Sequence, residues 1–213
     1  MLVLLVALGV TGCTTYTGSQ DNPVERSLTW FSYVAGDDIK AACMPGSRDH
    51  FRFVYNANYE QQIRTYELTG VDGGADFVTR ARNEAGNVAR LSFSNPFGPW
   101  ELDRSQTLLS NGQAAGIIAA LDRDASAAPP AANQQLGSNT HYWVVAGCSA
   151  GKFRLWAFDQ GRVDMSGLAF IPALRAHDQT EVVFRTAKPV EGFADNVFYI
   201  KINSEADGIV GGL

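Results

Sequence analysis

Hydrophobic and polar positions change their period several times along this chain, and each change predicts an element. An unbroken apolar run from Leu2 to Val10 stops at Thr11-Gly12-Cys13. Residues 14–26 (TTYTGSQDNPVER) are polar and punctuated by Gly and Pro, the composition of a flexible tether. Ser27 to Val34 (SLTWFSYV) is β-branched and aromatic, which predicts a strand. Gly36-Asp37-Asp38 supplies an N-cap for a short helix toward Cys43, and Met44-Pro45-Gly46 ends it.

From Phe51 to Leu109 the period is two. Phe51, Phe53 and Tyr55 alternate with Arg52, Val54 and Asn56, a loop at Asn56-Ala57-Asn58 follows, and a long strand runs from Tyr59 to Leu68. Val71-Asp72-Gly73-Gly74 offers positive-φ residues for a tight turn into Phe77 to Arg82. Asn83 to Asn87 leads to Val88 to Ser94, and a last strand reaches Leu109. This is an antiparallel meander of about five strands.

Period 3.6 then takes over. Ser110 and Gln113 have capping-box spacing, and Ala114, Ile117, Ile118 and Leu121 fall on one face of a helix over 111–123. Residues 125–138 (ASAAPPAANQQLGS) read as a mobile loop. Further strands are expected at His141–Cys148, Lys152–Phe158, Glu181–Thr186 and Asn196–Asn203, with a short helix near Ala173–Ala176. The expected class is α+β, mainly antiparallel: a curved sheet or half-barrel with one covering helix.

Composition narrows the picture. Of 213 residues 46% are hydrophobic and 18% charged, so the chain is globular rather than disordered. A net charge of −5 without a basic block gives no phosphate-binding surface, so nucleic acid is not an expected partner.

The opening run is shorter than the roughly 20 residues a membrane-spanning helix needs but has the length of a signal-peptide core. With Val10-Thr11-Gly12-Cys13 it resembles the lipobox of bacterial lipoproteins. The resemblance implies removal of residues 1–12, lipidation of Cys13 and a periplasmic setting; the polar stretch over 13–26 is then the lipidated tether, and chain length and strand patterning make 27–213 a single β-rich domain. Thr14 after Cys13, rather than Asp, favours the outer membrane under that family's sorting rule. No Lys or Arg precedes the run, which points to a start upstream of Met1 or a fragment.

With Cys13 lipidated, Cys43 and Cys148 remain, and an oxidising compartment predicts a disulfide between them, with two buried free thiols as the alternative. Closing a loop of that length is worth about 4 to 5 kcal/mol on the chain-entropy model.

Candidate chemistry is sparse. Gly147-Cys148-Ser149-Ala150-Gly151 matches G-x-S-x-G, which would make Ser149 an acyl-transfer nucleophile, but that elbow needs a helix where Lys152–Phe158 is strand-like. A hairpin turn is the expectation. His50, His141 and His177 lack metal-ligand spacing, Asp37-Asp38 reads as a cap rather than a Ca²⁺ loop, and no cofactor motif appears. His177-Asp178 reads as a solvated loop.

Leu91 to Leu102 (LSFSNPFGPWEL) resembles the strand-turn-strand of LolB-type outer-membrane lipoprotein receptors, with Phe97 in place of the usual Leu. That resemblance implies an incomplete antiparallel barrel around a cavity for acyl chains. The leading functional expectation is a non-enzymatic envelope lipoprotein, held at the membrane by its lipid, that binds another envelope protein or a membrane complex. A LolB-like carrier of lipid or lipoprotein acyl chains is the alternative, and a serine hydrolase through Ser149 the second.

Overall fold

The structure, a computed structural model, describes residues 15–16, 23–83, 102–187 and 198–210. Two helices come first, α1 (Pro23–Ala35) and α2 (Asp37–Ala42), then β1 (His50–Ala57), a single turn α3 (Asn58–Gln61), β2 (Gln62–Val71) and β3 (Gly74–Asn83). They are followed by β4 (Asp103–Ser110), the long helix α4 (Asn111–Ala127), β5 (Gln135–Gly137), β6 (His141–Ser149) and β7 (Lys152–Asp159). A 3-10 turn at Met165–Gly167, α5 (Phe170–Arg175), β8 (Tyr199–Ile202) and β9 (Ile209–Val210) close the described chain. The class is α+β and mainly antiparallel, as the alternation predicts.

The main sheet has the order β4-β3-β2-β1-β6-β7, every neighbouring pair antiparallel. Among the described residues it is open, with β4 and β7 at its two edges, rather than closed into a barrel. A smaller sheet, β5-β8-β9, packs beside it. β1 is central, and Phe51 to Ala57 are all buried, so both faces of the sheet are covered. One face carries Phe51, Phe53, Tyr55, Tyr66, Leu68, Phe77, Trp143 and Phe158 under α4 and α5. The other carries Val54, Tyr142, Val144, Ala146, Leu155 and Ala157 under α1, α2 and the small sheet. One covering helix was the expectation; the second layer exists because Tyr33, Val34 and Ile39 give α1 and α2 an apolar face of their own.

That layer corrects the expectation of a strand over Ser27–Val34. Trp30, Tyr33 and Val34 have helical i, i+3, i+4 spacing, and burial against β6 selects that period over the strand propensity of the same residues. Gly36, at φ 70°, turns the corner into α2. A Cβ there would lie 2.4 Å from that of Ala146, so glycine also lets the corner sit directly on β6. Gly36 is the N-cap residue, and Asp37 and Asp38 occupy the first turn, where the helix dipole favours them.

The helix expected over 111–123 extends to Ala127, and its capping box is made: Gln113 N–H donates to Ser110 Oγ at 3.3 Å and Ser110 N–H to Gln113 Oε1 at 2.9 Å. Asp124 Oδ2 accepts the Phe170 N–H at 2.9 Å, joining α4 to the start of α5. The stretch 125–138, expected as a loop, contains the end of α4 and strand β5. Ala131, Leu136 and Ser138 are buried there, and Ser138 N–H donates to Phe198 O. Asn56–Asn58, expected as a loop between strands, leads into the single turn α3, so β2 starts at Gln62 rather than Tyr59. The connection at Asn83–Asn87 and the strand Val88–Ser94 fall mostly outside the described residues.

Glu181–Thr186 is not a strand of either sheet. It is an extended strap across the α5-bearing face of the main sheet, held by side chains beneath it instead of by a ladder. Gln62 Nε2 donates to Val183 O at 2.8 Å, Arg185 N–H to Gln62 Oε1 at 3.1 Å, and Tyr55 Oη to Arg185 O at 2.8 Å. Its β-branched residues gave the strand pattern; its backbone groups find side-chain partners because the strap lies on a face and not at an edge.

Candidate functional site

The expected cysteine pair is joined. Cys43 caps the C-terminus of α2, Cys148 lies in β6, and the two form a disulfide with Cα atoms 5.7 Å apart across 105 residues of sequence. Two turns meet beside it. Gly151, at φ 71°, would place a Cβ 2.7 Å from Pro45 N and 2.8 Å from Met44 O, so only glycine lets the 44–47 turn and the β6–β7 turn touch.

Ser149 flanks that second turn. Ala150 and Gly151 both have positive φ, 51° and 71°, the signature of a two-residue hairpin, and β7 starts at Lys152 with no helix following. The G-x-S-x-G stretch is therefore a hairpin, as its strand-like sequel predicts, and lacks the strand-turn-helix of a nucleophile elbow.

A cleft of about 240 Å³ opens next to this hairpin, between Ile118 and Asp122 of α4 and Phe51, Gly147, Trp156, Ser149, Lys152 and Arg154 of the sheet. The rings of Phe51 and Trp156 stack at 6.5 Å to form its floor. A Cβ on Gly147 would come within 2.5 Å of the Phe51 ring, so glycine there lets the ring lie flat. A second cleft of about 170 Å³ shares Phe51 and Ile118 and runs toward Gly70 and Gly74. Both are smaller than the roughly 300 to 1,000 Å³ of ligand pockets. The first offers apolar surface with two cations on its rim, and no histidine is among its lining residues.

The strongest electrostatic features are two buried arginines. Arg52, 1% exposed, sends Nη1 and Nη2 to the two oxygens of Asp38, Nε to Glu67 and Nη1 also to Tyr33 O, all at 2.8 to 2.9 Å. Its guanidinium carbon lies 3.9 Å from the Tyr33 ring centre and 5.1 Å from that of Tyr16. Burial opposes its charge, but Asp38, Tyr33 and Glu67 outweigh it and push the pKa further up. Burial would raise Glu67; Arg52 and Arg80 instead hold its carboxyl below the usual range. His50, two residues from Arg52, is driven down by burial and by the Arg52 charge, and its Nε2 has no hydrogen-bond partner among the described residues.

Arg64 is equally buried on the opposite face. It binds Asp178 and Val182 O, donates to Thr180 Oγ1 at 3.1 Å, and lies 5.6 Å from the Phe184 ring centre. Tyr66 Oη donates to the same Asp178 oxygen at 3.0 Å. Asp178, expected in a solvated loop, is thus the clamp that fixes the start of the strap, and the neighbouring His177 ring stands edge-on to Phe77. Tyr55, Trp143 and Phe184 stack above, at 4.6 and 5.0 Å from Tyr55.

Sequence reasoning missed both arginines. The signal was there, an Arg inside each of two strongly apolar strands (Phe51-Arg52-Phe53 and Ile63-Arg64-Thr65), but alternation by itself assigns such residues to solvent. The three histidines fall on separate elements, β1, β6 and the loop after α5, and no group of three potential ligands forms among the described residues.

Tyr16 is a further correction. Expected within a flexible tether, it is buried on the domain: its N–H donates to Ser32 Oγ at 3.0 Å, and its ring stands edge-on to Tyr33 at 5.0 Å. Burial, with the Glu67 charge behind it, pushes its hydroxyl pKa up to about 12. Cys13 and residues 91–101 of the LolB-like stretch lie outside the described residues. No helix among the described residues is long and apolar enough to cross a membrane. Compared with known proteins, the chain matches no family model, no curated protein and no solved structure.

Proposed function

We propose that this chain is a non-enzymatic, lipid-anchored protein of the bacterial cell envelope, whose domain serves as a binding or accessory module for another envelope protein or a membrane complex. The supporting observation is the Cys43–Cys148 bond. A disulfide belongs to an oxidising compartment, and it leaves Cys13, behind its lipobox-like Val10-Thr11-Gly12, as the cysteine available to lipid. The domain offers surface rather than reactive groups: a hairpin where a nucleophile elbow would be, and a shallow cleft with Lys152 and Arg154 on its rim.

The test is metabolic labelling with an alkyne fatty acid in a bacterial host, followed by pull-down from solubilised envelope. Wild type should take up the label and Cys13→Ser should not, and the same partner should return in repeated captures. An unlabelled wild-type protein would refute the anchor. A fluorophosphonate probe that labels wild type and spares Ser149→Ala would replace the binding role with hydrolysis.

A further inference from the structure

If Cys13 carries lipid, the position of Tyr16 decides how the domain meets the membrane. A free tether from Cys13 to the first residue of α1, Pro23, spans ten residues and reaches about 35 Å when extended. The chain is instead pinned three residues after the cysteine, which leaves about 11 Å. The pin is specific. The Tyr16 ring stands edge-on to Tyr33 at 5.0 Å and 5.1 Å from the Arg52 guanidinium carbon, and its N–H is held by Ser32, whose own hydroxyl donates to Asp37 at 2.7 Å. Tyr16 is 5% exposed, which a passing contact of a loose tail would not achieve.

The pin also selects a face. Tyr16 sits on the side of the sheet that bears Arg52 and Glu67, and the same cross-strand row continues through Val78 to Gln106 on the edge strand β4. Gln106 and Arg104 are exposed there, and Leu108 is 72% exposed. Helix α4 covers the opposite face, so its outer residues, Ala119 among them, point away from Tyr16.

We propose that Tyr16 is a latch that holds the domain flush on the lipid bilayer, with the β3–β4 end of the Arg52-bearing face toward the headgroups and the α4 face toward the aqueous compartment. This rests on the lipid-anchor reading above. The partner of that face is then the bilayer itself, and other proteins are met by the α4 side.

Single-cysteine labelling tests it in the full-length lipidated protein. Gln106→Cys and Ala119→Cys each add one free thiol, since the other three cysteines are consumed by lipid and disulfide. Each variant, carrying a fluorophore, is reconstituted in phosphatidylethanolamine/phosphatidylglycerol vesicles doped with a headgroup nitroxide lipid. Quenching at position 106 should exceed that at 119 severalfold. Tyr16→Ala should abolish the difference, and so should ten Gly/Ser residues inserted after Thr14, which leave the latch intact but lengthen the path. Equal quenching at the two positions, or a difference that survives the insertion, overturns the orientation. Absence of fatty-acid label on the unmodified wild type overturns the anchor reading instead, so the two failures are distinguishable.

Discussion

Arg52 grips Asp38 with two parallel hydrogen bonds of 2.8 Å, and this one contact fastens helix α2 to the central strand of the sheet. The pair is buried on the arginine side, where Asp38 and Glu67 together balance the charge. The geometry is the bidentate one in which arginine differs most from lysine.

Removing Asp38 leaves the buried guanidinium with Glu67 as its carboxylate partner and takes away the bidentate half of its hydrogen bonds. Asp38→Ala should cost about 2 to 3 kcal/mol in urea unfolding, and Arg52→Lys should also destabilise because one ammonium cannot reproduce the fork. Replacing the group together (Arg52→Met, Asp38→Leu, Glu67→Gln) should recover most of the loss. A triple variant as unstable as Asp38→Ala would show that the network is worth more than its desolvation.

The Cys43–Cys148 bond closes a loop of 105 residues. Reduction, or Cys43→Ser with Cys148→Ser, should lower stability by about 2 to 5 kcal/mol without changing the far-UV spectrum of the folded state. Non-reducing mass spectrometry should find neither thiol alkylatable in native protein.

Stability should fall on acidification in two stages. His50 is held below the ordinary histidine value, so its neutral form is favoured by folding; the unfolded chain binds the proton first, and stability declines as pH drops below about 6.5. Glu67 is likewise depressed, so its contribution is full above the ordinary glutamate range and is lost as pH falls through its lowered native value. His50→Gln should flatten the urea midpoint between pH 5 and 7 and leave the lower stage in place. An unchanged slope in that window would remove His50 as its cause.

The strap should respond to its clamp. Asp178→Asn leaves Arg64 buried beside a neutral amide and should destabilise by about 2 kcal/mol or more. Amide exchange over 179–187 should rise far more than in β1 or β6, and trypsin should cut after Arg185 faster than in wild type. Equal protection in both proteins would mean that Gln62 and the Phe184 stack hold the strap without Asp178.

The two glycines at the hairpin end should tolerate little. Gly151→Ala forces a Cβ into the backbone of Met44 and Pro45 at positive φ, and Gly147→Ala pushes on the Phe51 ring. A loss of about 1 to 3 kcal/mol is expected for each, from strain and overpacking. Ser149→Ala, half-exposed in the turn, should stay within about 0.5 kcal/mol of wild type. Thermal unfolding of the three variants checks the order.

What the sequence by itself determined is local. Alternation over Phe51–Phe53–Tyr55 and the tight-turn residues at Asp72-Gly73 and Ala150-Gly151 fix hairpins, because side-chain period and positive φ are properties of a few neighbouring residues. Ser110 and Gln113 announce the start of α4 for the same reason, whereas the Cys43–Cys148 pair was an expectation that depended on reading Cys13 as lipidated. Only the tertiary structure decided what lies across a face. Trp30, Tyr33 and Val34 fit strand or helix until burial on β6 chooses helix; Val182 and Val183 look like a strand until they are laid over the sheet and bonded by Gln62 and Arg64. Arg52 reads as solvent-facing from its place in an alternating strand, and it becomes a buried anchor only because α1, α2 and Tyr16 close over it. A charge's partners come from residues distant in sequence, Asp38 and Glu67 here and Asp178 for Arg64, and no local pattern encodes that meeting.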